Sequence, residues 1–179
     1  MIESRTRLLL VEQFDVAWSL ACYHLEGVTD GECLWEPASP CLHVRRQDDG
    51  AWRPDWPETE GYDIGPPSIA WTTWHICFWW TNAFRGQQGE TPLAPQAVTW
   101  PRDADLIRSS VRSLHERWRA LLERCDEAGL QESRAESWTI PNASLERIAA
   151  WLNVELMKNA AEIGVMRFLH ATHRSPRPS

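Results

Sequence analysis

Residues 68–84 read Ser-Ile-Ala-Trp-Thr-Thr-Trp-His-Ile-Cys-Phe-Trp-Trp-Thr-Asn-Ala-Phe. Drawn as a helix, this segment presents apolar side chains on nearly every side, which is typical of the most buried helix of a protein. Ser68 follows Pro66 and Pro67, and a serine at this position is a favourable N-cap. The segment therefore predicts a buried helix that begins after Ser68 and continues to about Phe84.

Three further segments repeat apolar residues at the three- and four-residue spacing of a helix that is buried on one side. They extend from about Arg5 to Glu26, from near Asp103 to Gly129 (expected at the C′ position), and from residues 142–144 to about Ala171. Four long helices predict an all-α protein, with a four-helix bundle as the default architecture. The inner faces are expected to carry Leu9, Leu10, Phe14, Ala17, Trp18, Ala21 and Leu25; Leu106, Ile107, Val111, Leu114, Trp118, Leu121 and Leu122; and Leu145, Ile148, Leu152, Leu156, Ile163 and Met166.

The connections between these helices differ greatly in length. Thr29 and Glu32 form a capping-box pattern, which predicts a short helical turn after the first helix. Residues 35–65 show no helical or strand periodicity but carry three tryptophans, so we expect an ordered flap over one end of the bundle, with residues 86–100 nearby. Long crossover loops indicate an order other than simple up-down-up-down, and no strand is predicted.

The composition argues against several classes of protein. A chain of 179 residues, with 43% hydrophobic residues, is long and apolar enough for one folded domain. The formal net charge of −7 argues against a nucleic-acid surface, and no run approaches the ~18 apolar residues of a membrane span. The five cysteines include no Cys-x-x-Cys pair. We therefore expect a cytoplasmic protein with reduced thiols and neither a nucleic-acid nor a membrane partner.

Lys158 is the only lysine in the chain, since every other basic residue is arginine. Glu155 lies one turn before it and Glu162 one turn after it, so the three side chains project from the same side of the last helix. The simplest interpretation is a local ion pair on a half-exposed helix, worth a few tenths of a kcal/mol. The alternative is that Lys158 belongs to a functional site.

His75 and its neighbouring indoles are the second candidate. Trp71, Trp74 and Trp79 surround His75 on the buried helix, and a pocket walled by indoles would suit a flat or cyclic apolar ligand. Alternatively, the tryptophans only fill the core and His75 is a hydrogen-bonded core residue. The other histidines suggest no site: His24, His43 and His115 lie among surface-type residues, and the pair His170 and His173 lies near the end of the chain.

Four parts of the chain resemble the DinB/YfiT-like superfamily, which includes metal-dependent thiol transferases and mycothiol-dependent maleylpyruvate isomerases. The resemblance implies a DinB-type bundle over residues 1–172, followed by a flexible tail at residues 173–179. It also implies a metal ligand at His75. The matching residues are 25–32 with 34–37, the stretch 68–76, Trp118, and in the last helix Asn153 with Glu155, residues 161–163 and residues 167–169.

The last helix departs from the pattern of metal-binding members, which place His-x-x-x-His there. Val154 and Lys158 occupy those two positions, and Asn159 stands where a further histidine often follows. Valine cannot ligate a metal, and lysine ligates only when neutral. A three-histidine site with a divalent metal is therefore not expected. The Lys158 ammonium could instead occupy the space of the lost cation, facing His75.

Three functions remain open on these grounds. The first is a thiol-dependent transferase or isomerase, of the mycothiol type, with His75, Lys158 and Glu155 as catalytic residues. The second is a binding protein that holds a small molecule without catalysis, and the third is a structural or dimerising protein. The first two would use the predicted ligand-binding residues Trp71, Trp74, Trp79, Asn159 and Glu162. The resemblance also implies a homodimer, for which the apolar second helix offers a surface.

Overall fold

The computed structural model describes residues 4–59, 61–133 and 143–174. The helices are α1 (Arg5–Leu25), α2 (Asp30–Cys33), α3 (Ile69–Gln87), α4 (Ala104–Arg124), α5 (Glu127–Gln131) and α6 (Leu145–Arg174). Two short strands, β1 (Val44–Arg46) and β2 (Trp52–Pro54), form an antiparallel hairpin, and 3₁₀ turns lie at Tyr62–Ile64 and Pro95–Ala97. The predicted all-α fold is confirmed.

Helix α4 is antiparallel to α1. Arg119 forms an ion pair with Asp15 in the middle of the two helices. At the other end, Arg108 near the start of α4 donates to the backbone carbonyl of Val28, which lies just beyond the end of α1. The two helices therefore run in opposite directions along the bundle.

Helix α6 is parallel to α1. Asn153 donates from its side-chain amide to the carbonyl of Leu10, and further along both helices Arg167 donates to the carbonyl of His24. Gly164 permits this approach, because a Cβ at that position would lie only 2.5 Å from the His24 ring. Neighbouring helices of a simple up-down-up-down bundle are antiparallel. A parallel pair of neighbours therefore requires that the chain cross the bundle elsewhere.

Helix α3 runs antiparallel to α6. Trp79 of α3 packs on Trp151 of α6, and His75, one turn before Trp79, faces Glu155, one turn after Trp151. The order of the four long helices is therefore up-down-down-up. Residues 88–103 connect the lower end of α3 to the upper end of α4 and form the long crossover. The prediction of a bundle other than up-down-up-down agrees with this topology.

Two helix starts follow the predicted capping residues, and α4 begins where the sequence predicts it, directly after Asp103. Ser68 accepts from the backbone N–H of Trp71, and Asp103 caps α4 in the same way. Thr29 and Glu32 form the predicted capping box. The expected C′ role of Gly129 is wrong: α4 ends at Arg124, and Gly129 lies inside α5, where its N–H donates to the Asp126 side chain.

The residues of the predicted inner faces are buried or partly buried, with two exceptions. Leu9 is 52% exposed and Leu106 is 48% exposed. Both lie beside a residue that takes the core position instead, Leu10 in α1 and Ile107 in α4. Helix α3 is buried inside the bundle, so it does not offer the dimer surface that its apolar sequence suggested.

Two histidines interpreted as surface residues are in fact buried. The His43 ring lies beneath the hairpin, with Nδ1 2.7 Å from the hydroxyl of Ser68. His115 stacks on Trp18 at a centroid separation of 3.9 Å and also on Phe14. Charged residues lie near both histidines in the sequence and suggested exposure. The contacts that bury them could not be predicted, because they are made between elements far apart in the chain.

The segment before α3 is an ordered flap, and it contains the hairpin that the sequence did not predict. Strands of three residues are too short to show an alternating pattern. The flap is tied to the crossover, because Arg53 donates to the carbonyl of Gln96 and Trp52 packs against Trp100. Gly65 has φ +78°, and a Cβ there would lie 2.1 Å from the carbonyl oxygen of Pro40, so this turn of the flap requires glycine.

The C-terminal helix is longer than the sequence indicated. Helix α6 begins at Leu145, next to the predicted start near residues 142–144, and continues to Arg174, two residues beyond the predicted end of the bundle at residue 172. Residue 142 and residues 175–179 lie outside the described residues.

Candidate functional site

A cleft of about 1050 Å³ lies between α3, α6 and the part of the flap formed by residues 56–67. Its volume is at the upper end of the range of small-molecule sites. Aromatic side chains form much of its wall, and three ionisable side chains reach it from the two helices. The aromatic residues are Trp56, Tyr62, Trp71 and Trp79, and the ionisable ones are His75, Lys158 and Glu162.

His75 is held in one orientation by two indoles. Its ring stacks on Trp71 with 4.8 Å between centroids and 17° between planes, and its Nε2 accepts a hydrogen bond of 2.7 Å from the indole N–H of Trp79. Trp71 is fixed in turn because its own indole N–H donates to the carbonyl of Asp55 in the flap. An indole nitrogen can only donate, so the neutral imidazole carries its hydrogen on Nδ1.

The environment of His75 keeps the ring neutral. The side chain is only 7% exposed. Burial lowers its pKa to about 3, the nearby positive charge of Lys158 adds to this effect, and a hydrogen-bonding interaction with Asn159 opposes it. At neutral pH the ring is therefore an uncharged group that accepts at Nε2 and presents N–H at Nδ1.

Polar atoms from α6 face the Nδ1 side of this ring. Oε2 of Glu155 lies 4.0 Å from Nδ1 of His75 and 2.7 Å from the ammonium nitrogen of Lys158. Oε2, Nδ1 and the side-chain carbonyl of Asn159 are all buried without an aligned hydrogen bond in the part of the chain that the structure describes. Lys158 thus neutralises Glu155, and the side chains of these two residues are 46% and 18% exposed.

Glu162 lines the cleft one turn beyond Lys158. Among the described residues, no basic group forms an ion pair with its carboxylate within 4 Å. Burial raises the pKa of this carboxyl; the charge of Lys158 acts in the opposite direction, and that of Glu155 adds to the increase. The cleft therefore contains a carboxyl group that is not committed to a salt bridge.

The structure places the predicted site residues in two groups. One group lines the cleft: His75, Lys158, Trp71, Trp79 and Glu162. The others do not: the Trp74 side chain is fully buried and donates to the carbonyl of Val98. Glu155 and Asn159 border a separate small internal void between α3 and α6. Side chains that are close in sequence point to different sides of a helix, so proximity in sequence to His75 or Lys158 does not place a side chain in the cleft.

Sequence reasoning missed the wall that the flap contributes. Trp56 and Tyr62 come from this segment, together with the backbone around Gly65. The available signal was the presence of tryptophans in a long loop, because such large apolar side chains are expected to pack against the rest of the protein. No spacing rule relates a loop residue to a helix face, so its position over His75 was not predictable.

The donor atoms near His75 do not fit the three-ligand metal site that the resemblance implies for other members. The Val154 side chain has no donor atom and is 67% exposed on the opposite side of α6. The ammonium of Lys158 is bound to Glu155, and the lone pair on Nε2 of His75 already accepts from Trp79. Within residues 4–59, 61–133 and 143–174, no three His, Cys, Asp or Glu side chains are grouped as a metal site.

A second concave surface lies on the outside of α1 and α6. This groove has a volume of about 640 Å³ and is lined mainly by apolar side chains, including Leu9, Val16, Val154 and Met157. Lys158 lies at the border between the groove and the cleft, since it lines both.

Comparison with known proteins gives one match. The family model described as the DinB superfamily matches residues 13–163, which include all of α3 and α4 and most of α1 and α6. No match to the chain was found among curated proteins or among solved structures. Among the described helices, none is both long and apolar enough to cross a lipid bilayer.

Proposed function

The chain belongs to the DinB superfamily, and we propose that it binds a small organic molecule in the cleft between α3, α6 and the flap, without a three-histidine metal site. The observation that carries the proposal is the cleft itself. A cavity of about 1050 Å³ that is walled by Trp56, Trp71 and Trp79 offers a large apolar contact area with few, fixed polar groups.

The arrangement at His75 supports binding more than proton transfer by this residue. A histidine whose pKa is lowered to about 3, and whose Nε2 already accepts from Trp79, is a poor general base at neutral pH. Its stacking on Trp71 instead keeps the indole in place as part of the wall. In this proposal His75 is a positioning residue.

A second candidate function is thiol-dependent transfer, with a low-molecular-weight thiol of the mycothiol type as co-substrate. The observation that favours it is that Lys158 and an uncommitted carboxylate, Glu162, line the same wall of the cleft. Glu162 would accept the thiol proton, and Lys158 would stabilise the thiolate. The thiolate would then form a carbon–sulfur bond to the substrate, while the leaving group departs with its electron pair and takes the proton from Glu162. Glu155 would hold Lys158 in place.

Replacing one wall of the cleft tests the binding proposal. Trp56 is 43% exposed, so the Trp56→Ala variant should fold while losing part of the apolar wall. Aromatic compounds that raise the melting temperature of the wild-type protein should bind roughly tenfold more weakly to this variant. The matched control is Trp35→Ala, another indole of the same long connection, which contacts His170 and His173 rather than the cleft. Equal losses in both variants would contradict the proposal.

Turnover separates the two candidates. Incubation with a thiol and an electrophilic substrate, followed by mass spectrometry of the products, should show a thiol adduct only if the second candidate holds. Binding that depends on Trp56, without any adduct, would support the binding protein alone.

We further propose that the chain forms a homodimer through the outer face of α1 and α6, the α1/α6 face. Among the described residues, most of the exposed large hydrophobic side chains lie on these two helices: Leu8, Leu9, Val16, Tyr23, Val154, Val165, Phe168 and Leu169. Residues 9, 16 and 23 are seven apart, which is the spacing of a helix-packing seam. Exposed patches of this kind mark interaction sites.

The size of the α1/α6 face is compatible with a second copy as its occupant. At ~1.5 Å per residue, α1 and α6 are roughly 32 Å and 45 Å long, so at roughly 10 Å width per helix they present together a footprint of roughly 750 Å². A stable interface needs about 800 Å² of accessible surface per partner. Because the two helices are parallel neighbours, a two-fold axis would pair them with the same two helices of a second chain.

A further inference from the structure

The charges around the cleft do not cancel. The single ammonium, on Lys158, lies 2.7 Å from Oε2 of Glu155 and is neutralised by it. Glu162 also lines the cleft, and its carboxylate has no basic partner within 4 Å among the described residues. Because Glu155, behind the wall, neutralises Lys158, the ionised carboxylate of Glu162 leaves this wall of the cleft with an excess of negative charge.

The aromatic wall of the cleft is better suited to binding cations than to binding anions. The indole N–H groups of Trp71 and Trp79 would be natural donors to an anion, but the first donates to the carbonyl of Asp55 and the second to His75. What these two indoles still offer to a ligand is their π surface, which attracts positive charge. The cleft therefore combines π surface and a carboxylate, without an unengaged indole N–H from Trp71 or Trp79.

We propose that the ligand of this cleft is an organic cation, with an ammonium group at Glu162 and an apolar or aromatic body against the indoles. This inference rests on the proposed small-molecule binding and specifies its substrate class. A carboxylate that meets an ammonium in a partly desolvated site forms a charge-assisted hydrogen bond, and the rings add cation–π attraction.

An anionic ligand would face an additional cost. To bind it, Lys158 would have to leave Glu155, whose Oε2 is buried and makes no other aligned hydrogen bond in the described part of the chain. Leaving such an atom unpaired is unfavourable. A cation leaves the Lys158–Glu155 pair intact, because it interacts with Glu162 instead.

The surroundings of the cleft act in the same direction. Two exposed carboxylates, Glu58 and Asp63, lie on the part of the flap that borders the cleft, and the chain as a whole has a formal net charge of −7. Such a distribution raises the local concentration of cations and disfavours the approach of anions.

Three probes with the same phenyl ring and three-carbon chain but different charges test the inference. Phenylpropylammonium, phenylpropanol and phenylpropionate are titrated into the wild-type protein at neutral pH by calorimetry. The ammonium compound should bind at least about tenfold more tightly than the alcohol, and the carboxylate should bind most weakly.

Substitutions in α6 test which side chain causes the preference for the ammonium compound. Glu162→Gln, which keeps the shape of the side chain, should reduce the affinity for the ammonium compound to that for the alcohol. Lys158→Gln removes the competing positive charge and should increase the affinity for the ammonium compound. The control Glu146→Gln, near the start of the same helix and outside the cleft, should leave all three affinities unchanged.

The outcomes separate this inference from the function on which it rests. Equal binding of the three probes, or tightest binding of phenylpropionate, would overturn the cation preference while supporting a small-molecule site. Failure of all three probes to bind would contradict both. A cation preference that survives in Glu162→Gln would overturn the assignment to this carboxylate.

Discussion

Trp79 donates its indole N–H to Nε2 of His75 over 2.7 Å, one turn apart on the same helix. This single contact determines what the histidine can do. It occupies the nitrogen lone pair that could have bound a metal or accepted a proton, and it places the ring hydrogen on Nδ1, facing Glu155. A residue that resembles a metal ligand in the sequence is therefore a neutral, oriented part of the cleft wall.

The first prediction concerns the protonation of His75. In the wild-type protein, its ring should not titrate between about pH 5 and 8, the range in which an ordinary histidine changes charge. Replacing Trp79 with phenylalanine removes the donor that favours the neutral ring, so the pKa should rise from about 3 without reaching 6.5. Histidine-selective NMR titration measures both values.

Trp56→Phe is the matched control for this experiment, because Trp56 lines the same cleft but contacts Trp74 and Phe78. It should leave the titration of His75 unchanged. A wild-type His75 that titrates near neutral pH would show that the hydrogen bond from Trp79 does not hold the ring in its neutral form.

The second prediction concerns stability in acid. The unfolded chain protonates His75 near pH 6.5, whereas burial delays protonation in the folded protein to about pH 3. Acidification through this window therefore favours the unfolded state, and the contribution of His75 should fall by about 1 kcal/mol per pH unit. It is fully present above pH 6.5.

Chemical denaturation of the wild type and His75→Gln at several pH values isolates this term. The difference between the two free energies of unfolding should shrink as the pH is lowered from about 6.5 to 4. A difference that stays constant over this window would contradict a depressed pKa for His75.

The third prediction concerns the ion pair between Lys158 and Glu155. Lys158→Met leaves a mostly buried carboxylate without its partner, so the free energy of unfolding should fall by about 1–2 kcal/mol. The double variant with Glu155→Gln should recover part of this loss, because the neutral amide no longer requires a counter-ion.

Arg147→Met is the control for the loss of a long basic side chain on the same helix. Arg147 is exposed, and its replacement should change the stability by less than about 0.5 kcal/mol. If Lys158→Met has an equally small effect, the pair contributes no more than an ordinary surface salt bridge.

The fourth prediction concerns the homodimer. The wild-type protein should sediment as a dimer, and Phe168→Glu, at a side chain that is 71% exposed on the α1/α6 face, should sediment as a monomer with unchanged helix content. Leu106→Glu places the same charge at an exposed leucine of α4, outside this face, and should remain dimeric. A monomeric wild-type protein would contradict the proposed interface.

Much of the fold followed from local signals in the sequence. Ser68, Asp103 and the Thr29–Glu32 pair are each recognisable before the structure is known, because a capping side chain acts on a backbone N–H only a few residues away. The apolar stripe of α6 was predictable because the three- and four-residue spacing of its apolar residues is also a local pattern. The break after Arg124 was not, since Gly129 reads equally well as the end of one helix or the interior of the next.

The site was predictable only in part. The side chains of His75, Lys158 and Glu162 share the cleft, as the spacing on their helices and the family resemblance suggested. The hydrogen bond from Trp79, the engagement of Trp71 by Asp55 and the wall contributed by Trp56 depend on side-chain orientation and on the path of the flap. No sequence periodicity encodes these contacts.

The most direct test of the account is the metal content of the protein, purified without chelator and without a metal-affinity tag. The account predicts substoichiometric zinc, nickel and iron in the wild type, with ligand binding in the cleft retained. Stoichiometric metal in the wild type that disappears in His75→Ala would contradict the account.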